Sequence, residues 1–341
     1  MRQLLQMLIL GLMFAGGLPV LAEPIVLHPL HVIECAADTD HRPTVVTGVA
    51  VTPNGKTVVA ATDNHEVTIY DASSGALVSR LGRHGDWVRS ACVSPDATKF
   101  ATGARDHTIC VWDIVSGQRL LQLPACESAV TAIAFHPNNQ QVAVVGFTSL
   151  MQIVNTSSGQ ITQELECPCP DPCTVAFSAD GTRMAVAGRS GCVRVWNVTT
   201  GVREHDITTD GRRIRTIAFS PDGKWIAAAG NSPQVSVFDV VGGQTVMTLD
   251  VRPAKAFTLV FVDNRRLATG GTDNVIRIWD LNSQVVTSEL VGHTGTVAAL
   301  GLDTAGSTLV SGGYDTTLRV WNISDPNTPS TALRGPVDAA R

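Results

Sequence analysis

The segments VIRIWD at 275–280 and CVRVWN at 192–197 share one pattern: aliphatic, basic, aliphatic, tryptophan, then an acid or its amide. The tryptophan column continues in both directions as Tyr70, Trp112, Val154, Trp196, Phe238, Trp279 and Trp321, with spacings of 42, 42, 42, 42, 41 and 42 residues. The preceding residue is always Ile or Val: Ile69, Val111, Ile153, Val195, Val237, Ile278 and Val320. The following residue is always Asp or Asn: Asp71, Asp113, Asn155, Asn197, Asp239, Asp280 and Asn322. A fixed period of this size marks an array of supersecondary units.

Each unit reads as four short strands. An apolar run such as TIAFSPD (216–222) ends in a turn of the SPDG type (220–223), where Pro and Asp-Gly supply the backbone geometry. A second run follows, as in RRLATGG (265–271), then the aromatic-bearing third, then a turn such as DASSG (71–75) and a short amphipathic fourth run such as ALVSRL (76–81). Four strands in about 40–45 residues, repeated, predict an all-β fold: a seven-bladed β-propeller of four-stranded antiparallel blades. It forms one domain over residues 23–341. The seventh unit lacks a fourth run of its own. Two segments could supply it, 30–34 before the first unit and 331–334 after the last. The β propensity of His31-Val-Ile favours closure by about residues 29–34, leaving a short tail at about 324–341.

These motifs resemble the WD-repeat family over roughly residues 44–323. Trp112-Asp113 and Trp279-Asp280 are the literal dipeptide, and Gly292-His293 is the family's other signature. The resemblance implies a stabilising network within a blade that joins a His, a Ser or Thr, an Asp and the Trp. The seventh unit carries the set as His293, Ser311, Asp315 and Trp321, the second as His84, Thr102, Asp106 and Trp112. The sixth keeps Thr269, Asp273 and Trp279 but has Arg252 at the His position. The third and fourth units lack the His, hydroxyl and Asp, and the first and fifth are incomplete. The resemblance also implies protein or peptide ligands on the face that carries the fourth-to-first-strand loops.

Residues 1–22, MRQLLQMLILGLMFAGGLPVLA, have the layout of a secretory signal peptide: Arg2, a short apolar run from Leu4 to Ala15, and Val20-Leu21-Ala22 at the cleavage positions. Export to the periplasm or beyond is expected, with a mature chain from Glu23 and no membrane span. The chain has 341 residues and a formal net charge of -5, which disfavours a nucleic-acid partner. A monomer is expected.

No P-loop, nucleophile elbow or HExxH motif is present, and no spacing calls for a metal or cofactor. His84 and His293 belong to structural columns. A non-catalytic interaction scaffold is therefore the leading reading, with an exported propeller enzyme or a small-ligand subunit using the central channel as its rival. An interaction surface is expected from the variable loops that hold Arg83, Asp86 and Trp87, then Arg212 and Arg213, then Arg252 and Lys255, because Trp and Arg are enriched in interface hot spots. Of the cysteines, Cys92 sits in a column of small residues and reads as buried. Cys110 lies in a polar column and reads as exposed. Cys126, Cys167, Cys169, Cys173 and Cys192 are candidates for disulfides on one face, export permitting.

Overall fold

Small apolar residues dominate the second strand of every unit, and the reason is that both faces of that strand are covered. In Trp225–Gly230, Arg266–Gly271 and Thr308–Gly313 every residue after the first is buried. The fourth strands, such as Ile161–Glu166 and Thr245–Asp250, are largely exposed, since they form the outer edge. The computed structural model describes residues 23–35, 44–123, 127–168 and 171–324; the expected signal peptide and the tail beyond Ser324 lie outside the described residues. The described residues form seven sheets, antiparallel apart from one added N-terminal strand, and contain no helix. The first strands of successive blades pack against one another in a closed ring, from Val46–Val51 through Val88–Val93 and onward to Val297–Leu302, which returns to Val46–Val51. They line the central axis, and the apolar core lies between blades. Val59, Ala61 and Ile69 of blade one, for example, meet Phe100 and Trp112 of blade two.

The ring is closed by the N-terminal segment. Strand β2 (His31–Glu34) runs antiparallel to the third strand of blade seven, with His31 opposite Val320 and Glu34 opposite Thr317. It is the outermost strand of that blade, so a strand from before the first blade shares a sheet with the last strand of the described chain. Strand β1 (Ile25–Leu27), for which the sequence carried no signal, adds a fifth strand to blade six, parallel to Ser288–Leu290. The N-terminal segment thus bridges the outer edges of two adjacent blades.

Alternation along β2 gives a direct test of this closure. Ile33 is 6% exposed and packs with Val46, Val49, Leu318 and Val320, whereas Val32 is 51% exposed. Ile33→Ala should lower the free energy of unfolding by about 2–4 kcal/mol, and Val32→Ala should change it little. Equal losses in a denaturant titration would mean that this strand is not docked as described.

Candidate functional site: the channel mouth

The blade networks come first, because they hold the loops that frame the mouth. Trp112 Nε1–H donates to Thr102 Oγ1 at 2.9 Å, and the same hydroxyl lies 2.8 Å from His84 Nε2. Indole nitrogen is only a donor, so the hydroxyl accepts from Trp112 and gives its one proton to Nε2. The ring proton of His84 is then on Nδ1, which faces Thr108 Oγ1 at 3.0 Å and Asp106 Oδ2 at 3.2 Å. Blade seven repeats the chain as Trp321, Ser311, His293 and Asp315, with Nδ1 3.0 and 2.9 Å from the two carboxylate oxygens. In blade six Trp279 still donates to Thr269 at 2.9 Å, but no histidine follows. Arg252 does not enter the blade; it is exposed and clasps Asp250. Asp273 is held by Arg277 at 2.6 Å on one oxygen, while its buried Oδ1 has no partner. The third and fourth blades have aliphatic residues, Val144 and Val186, where the hydroxyl would stand.

A β-bulge marks the start of every first strand. The pairing with the second strand shifts between Val46 and Gly48, Val88 and Ser90, Val130 and Ala132, Pro172 and Thr174, Ile214 and Thr216, Ala256 and Thr258, and Val297 and Ala299. The extra residue is Thr47, Arg89, Thr131, Cys173, Arg215, Phe257 or Ala298. Bulges re-aim side chains out of the ladder, and here seven of them form one ring at the channel mouth. In blades five and six close approach of backbone at the bulge requires glycine on the second strand, since a Cβ on Gly230 would collide with Arg213 O and one on Gly271 with Lys255 O, whereas blades one and two accommodate Thr62 and Ala104 there.

Two threonines of this ring tie blades together. Thr47 Oγ1 donates to Val88 O at 2.5 Å and Thr131 Oγ1 to Pro172 O at 2.6 Å, each across to the next blade. The other positions carry different chemistry. The Arg215 guanidinium lies 4.2 Å from the centroid of the Phe257 ring and its Nε–H donates to Asn231 Oδ1 at 3.1 Å. Arg89 is exposed to the channel but ringed by the blades. That partial withdrawal from water, then the charges of Arg105 and Arg213, lower its pKa. A second ring surrounds the first. In six of the blades a residue two before the bulge is bonded through its carbonyl to the residue that follows the second strand, as Trp87 O is to Arg105 N at 2.9 Å, Arg213 O to Asn231 N at 2.9 Å and Thr296 O to Tyr314 N at 2.9 Å. Arg105 stacks over Trp87 at 5.3 Å, and Trp87, Phe147 and Tyr314 are exposed.

The loop residues expected to bind a partner therefore divide. Trp87, Arg213 and Lys255 belong to the mouth, and Asp86 Oδ1 accepts the Trp87 N–H at 2.7 Å. Arg83 is paired with Glu66 at 2.9 Å, Arg212 with Asp210 at 3.7 Å, and Arg252 with Asp250, each with a carboxylate of its own locality. Sequence reasoning missed Arg89, Arg105, Arg215, Phe257 and Tyr314. The available signal was the repeat itself: Arg89 and Arg215 share a column with Thr47 and Thr131, at the start of the axial strand.

The cysteine expectations need correction in part. Cys110 is buried, not exposed, because its third strand is covered on both faces. Cys92 is only partly buried, packed against the layer between blades two and three. Cys173 is a free thiol whose sulfur faces Arg213 Nη2 at 3.0 Å and Nε at 3.3 Å. Cys126 and Cys169 lie outside the described residues.

Two outcomes follow from the networks. Thr102→Val strands both Trp112 Nε1–H and His84 Nε2, whereas Thr269→Val strands only Trp279 Nε1–H. Urea unfolding should show the first variant losing more, by about 1–3 kcal/mol, the cost of one further buried unpaired group. The second outcome concerns pH. Burial lowers the pKa of His84 and of His293 below the ordinary 6.5, against the pull of Asp106 and Asp315. Both are neutral in the fold. Below 6.5 the unfolded chain takes up protons that the native state does not, so stability present above that value is lost as pH falls. Melting temperature should drop between pH 7.5 and 5.5, and a rise would mean that the native histidines are charged.

No curated protein matches the chain. The family model described as the IFT122 first beta-propeller matches residues 45–322. That span contains all seven aromatic positions and every blade strand except β1 and β2. With seven four-stranded blades closed into a ring, the chain belongs to the family of the IFT122 first β-propeller, a propeller of WD-repeat type.

Proposed function

We propose that this propeller is a non-catalytic interaction scaffold that works outside the cytoplasm and holds a protein partner on the face bearing the fourth-to-first-strand loops. The observation that carries the reading is Trp87. It is 42% exposed on the rim of the mouth, three residues after the buried His84 that anchors its loop. A large aromatic in that setting does nothing for the core and offers contact area to a partner. The two histidines that could serve as bases are instead held by their blade networks, which supports a binding role over catalysis. Export rests on the features of residues 1–22, and disulfides through Cys126, Cys167, Cys169 or Cys192 would form only in such a compartment.

Capture from the exported fraction with the mature chain as bait tests this reading. Trp87→Ala should weaken the captured partner by about 2 kcal/mol or more while leaving the melting temperature nearly unchanged. Unaltered affinity would move the site to the opposite face. N-terminal sequencing of the exported protein should begin at Glu23; an intact Met1 in a membrane fraction would contradict export.

A further inference from the structure

Among the described residues, the arginines that make no ion pair are Arg89, Arg105, Arg119, Arg213 and Arg215. Four of these five converge on the channel mouth. Arg89 and Arg215 are bulge residues of the axial strands. Arg105 and Arg213 belong to the surrounding ring. Arg89 lies within electrostatic reach of both Arg105 and Arg213. What these guanidiniums touch includes no carboxylate: Trp87 under Arg105, Phe257 under Arg215, Cys173 Sγ beside Arg213, and the Asn231 amide beside Arg215. Among the other described arginines, all but Arg119 find a carboxylate, as Arg183 does with Glu204 at 2.7 Å, two strands across the same blade. The same ring holds Asp63, and Asp171 paired with Arg189, yet the four unpaired arginines and Lys255 leave an excess of positive charge at the mouth of a chain whose net charge is -5.

We infer that the mouth is a socket for an acidic peptide segment of a protein partner, whose carboxylates pair with Arg89, Arg105, Arg213 and Arg215 while its apolar side chains lie on Trp87, Phe257 and Tyr314. This rests on the scaffold reading above and names the chemistry of the partner. Guanidinium forks match carboxylates two bonds at a time, and like charges held close together gain most from an anion placed between them. A peptide fits better than a nucleic acid for two reasons. Four of the five unpaired arginines sit at the mouth while the chain as a whole is acidic, so a long polyanion would run from the mouth onto a surface of net negative charge. The flanking aromatics suit a ligand that alternates acidic and apolar side chains.

The test is fluorescence anisotropy with a labelled Glu-rich peptide carrying interspersed Phe, and with the counterpart in which Lys replaces Glu. The acidic peptide should bind the mature chain, more weakly as salt rises, and the Lys peptide should not. Arg89→Gln and Arg215→Gln should each weaken binding by about tenfold or more, the loss expected when one partner of an enclosed charge pair is removed. Arg89→Lys should fall between, since it keeps the charge and loses the fork. If Arg89→Gln unfolds, the exposed Arg105→Gln serves in its place. Equal binding of the Lys peptide, indifference of the acidic peptide to these substitutions, or tighter binding of a single-stranded oligonucleotide would overturn the inference. A natural partner that depends on Trp87 but not on the arginines would overturn it too, and would leave the scaffold reading standing.

Discussion

Closure of the ring is the constraint on which the rest depends. Each first strand packs against the first strand of the next blade, and the last returns to the first. No blade can bury both faces unless both neighbours are present, so the apolar layers form together or not at all. An array of this kind is stable only as nearest-neighbour interfaces add up. Here the free ends of the array are joined through β2, whose Ile33 enters the layer between blades seven and one. A strand that the repeats do not supply is therefore the one that turns an open stack into a closed body.

Against that closed frame, the polar networks are unevenly distributed. Blades two and seven have the full relay from indole to carboxylate, and blade six has it truncated, with a buried carboxylate oxygen left without a partner. The unpartnered oxygen and the missing histidine are the same fact seen from two sides, because in blade seven both oxygens of Asp315 face His293. Blades three and four replace the polar parts with aliphatic ones, which avoids burying half a network. The relay strengthens a blade where it occurs; inter-blade packing is what all seven have in common.

The mouth follows from the same geometry. Strands that converge on an axis must twist and bend, and the bulge at the head of each first strand absorbs that bend. One residue per blade is released from the ladder and aimed into the opening. Where that residue is threonine it is spent on joining blades. Where it is Arg89 or Arg215 it remains available, and the rigid sheets behind it keep the charges close together although they repel. A scaffold can sustain such a concentration of like charge because the cost is carried by the packing of the blades.

The forty-two-residue column by itself determined the blade count and the strand order within each blade, and the resemblance to the WD-repeat family implied the membership of His84, Thr102, Trp112, His293, Ser311 and Trp321 in structural networks. Periodicity is a local property repeated, and a repeated local property is visible in one dimension. Trp87 and Arg213 were also legible as loop residues, since they fall between the repeated strands. Three things were decided only in the tertiary structure. Strand β1 pairs with blade six because the segment leading into β2 passes beside an open edge, and three residues carry too little pattern to reveal that. Arg83, Arg212 and Arg252 are neutralised by Glu66, Asp210 and Asp250, and pairing depends on side-chain direction. The meeting of Arg89, Arg105, Arg213 and Arg215 joins residues up to three periods apart, and ring closure brings them to one axis.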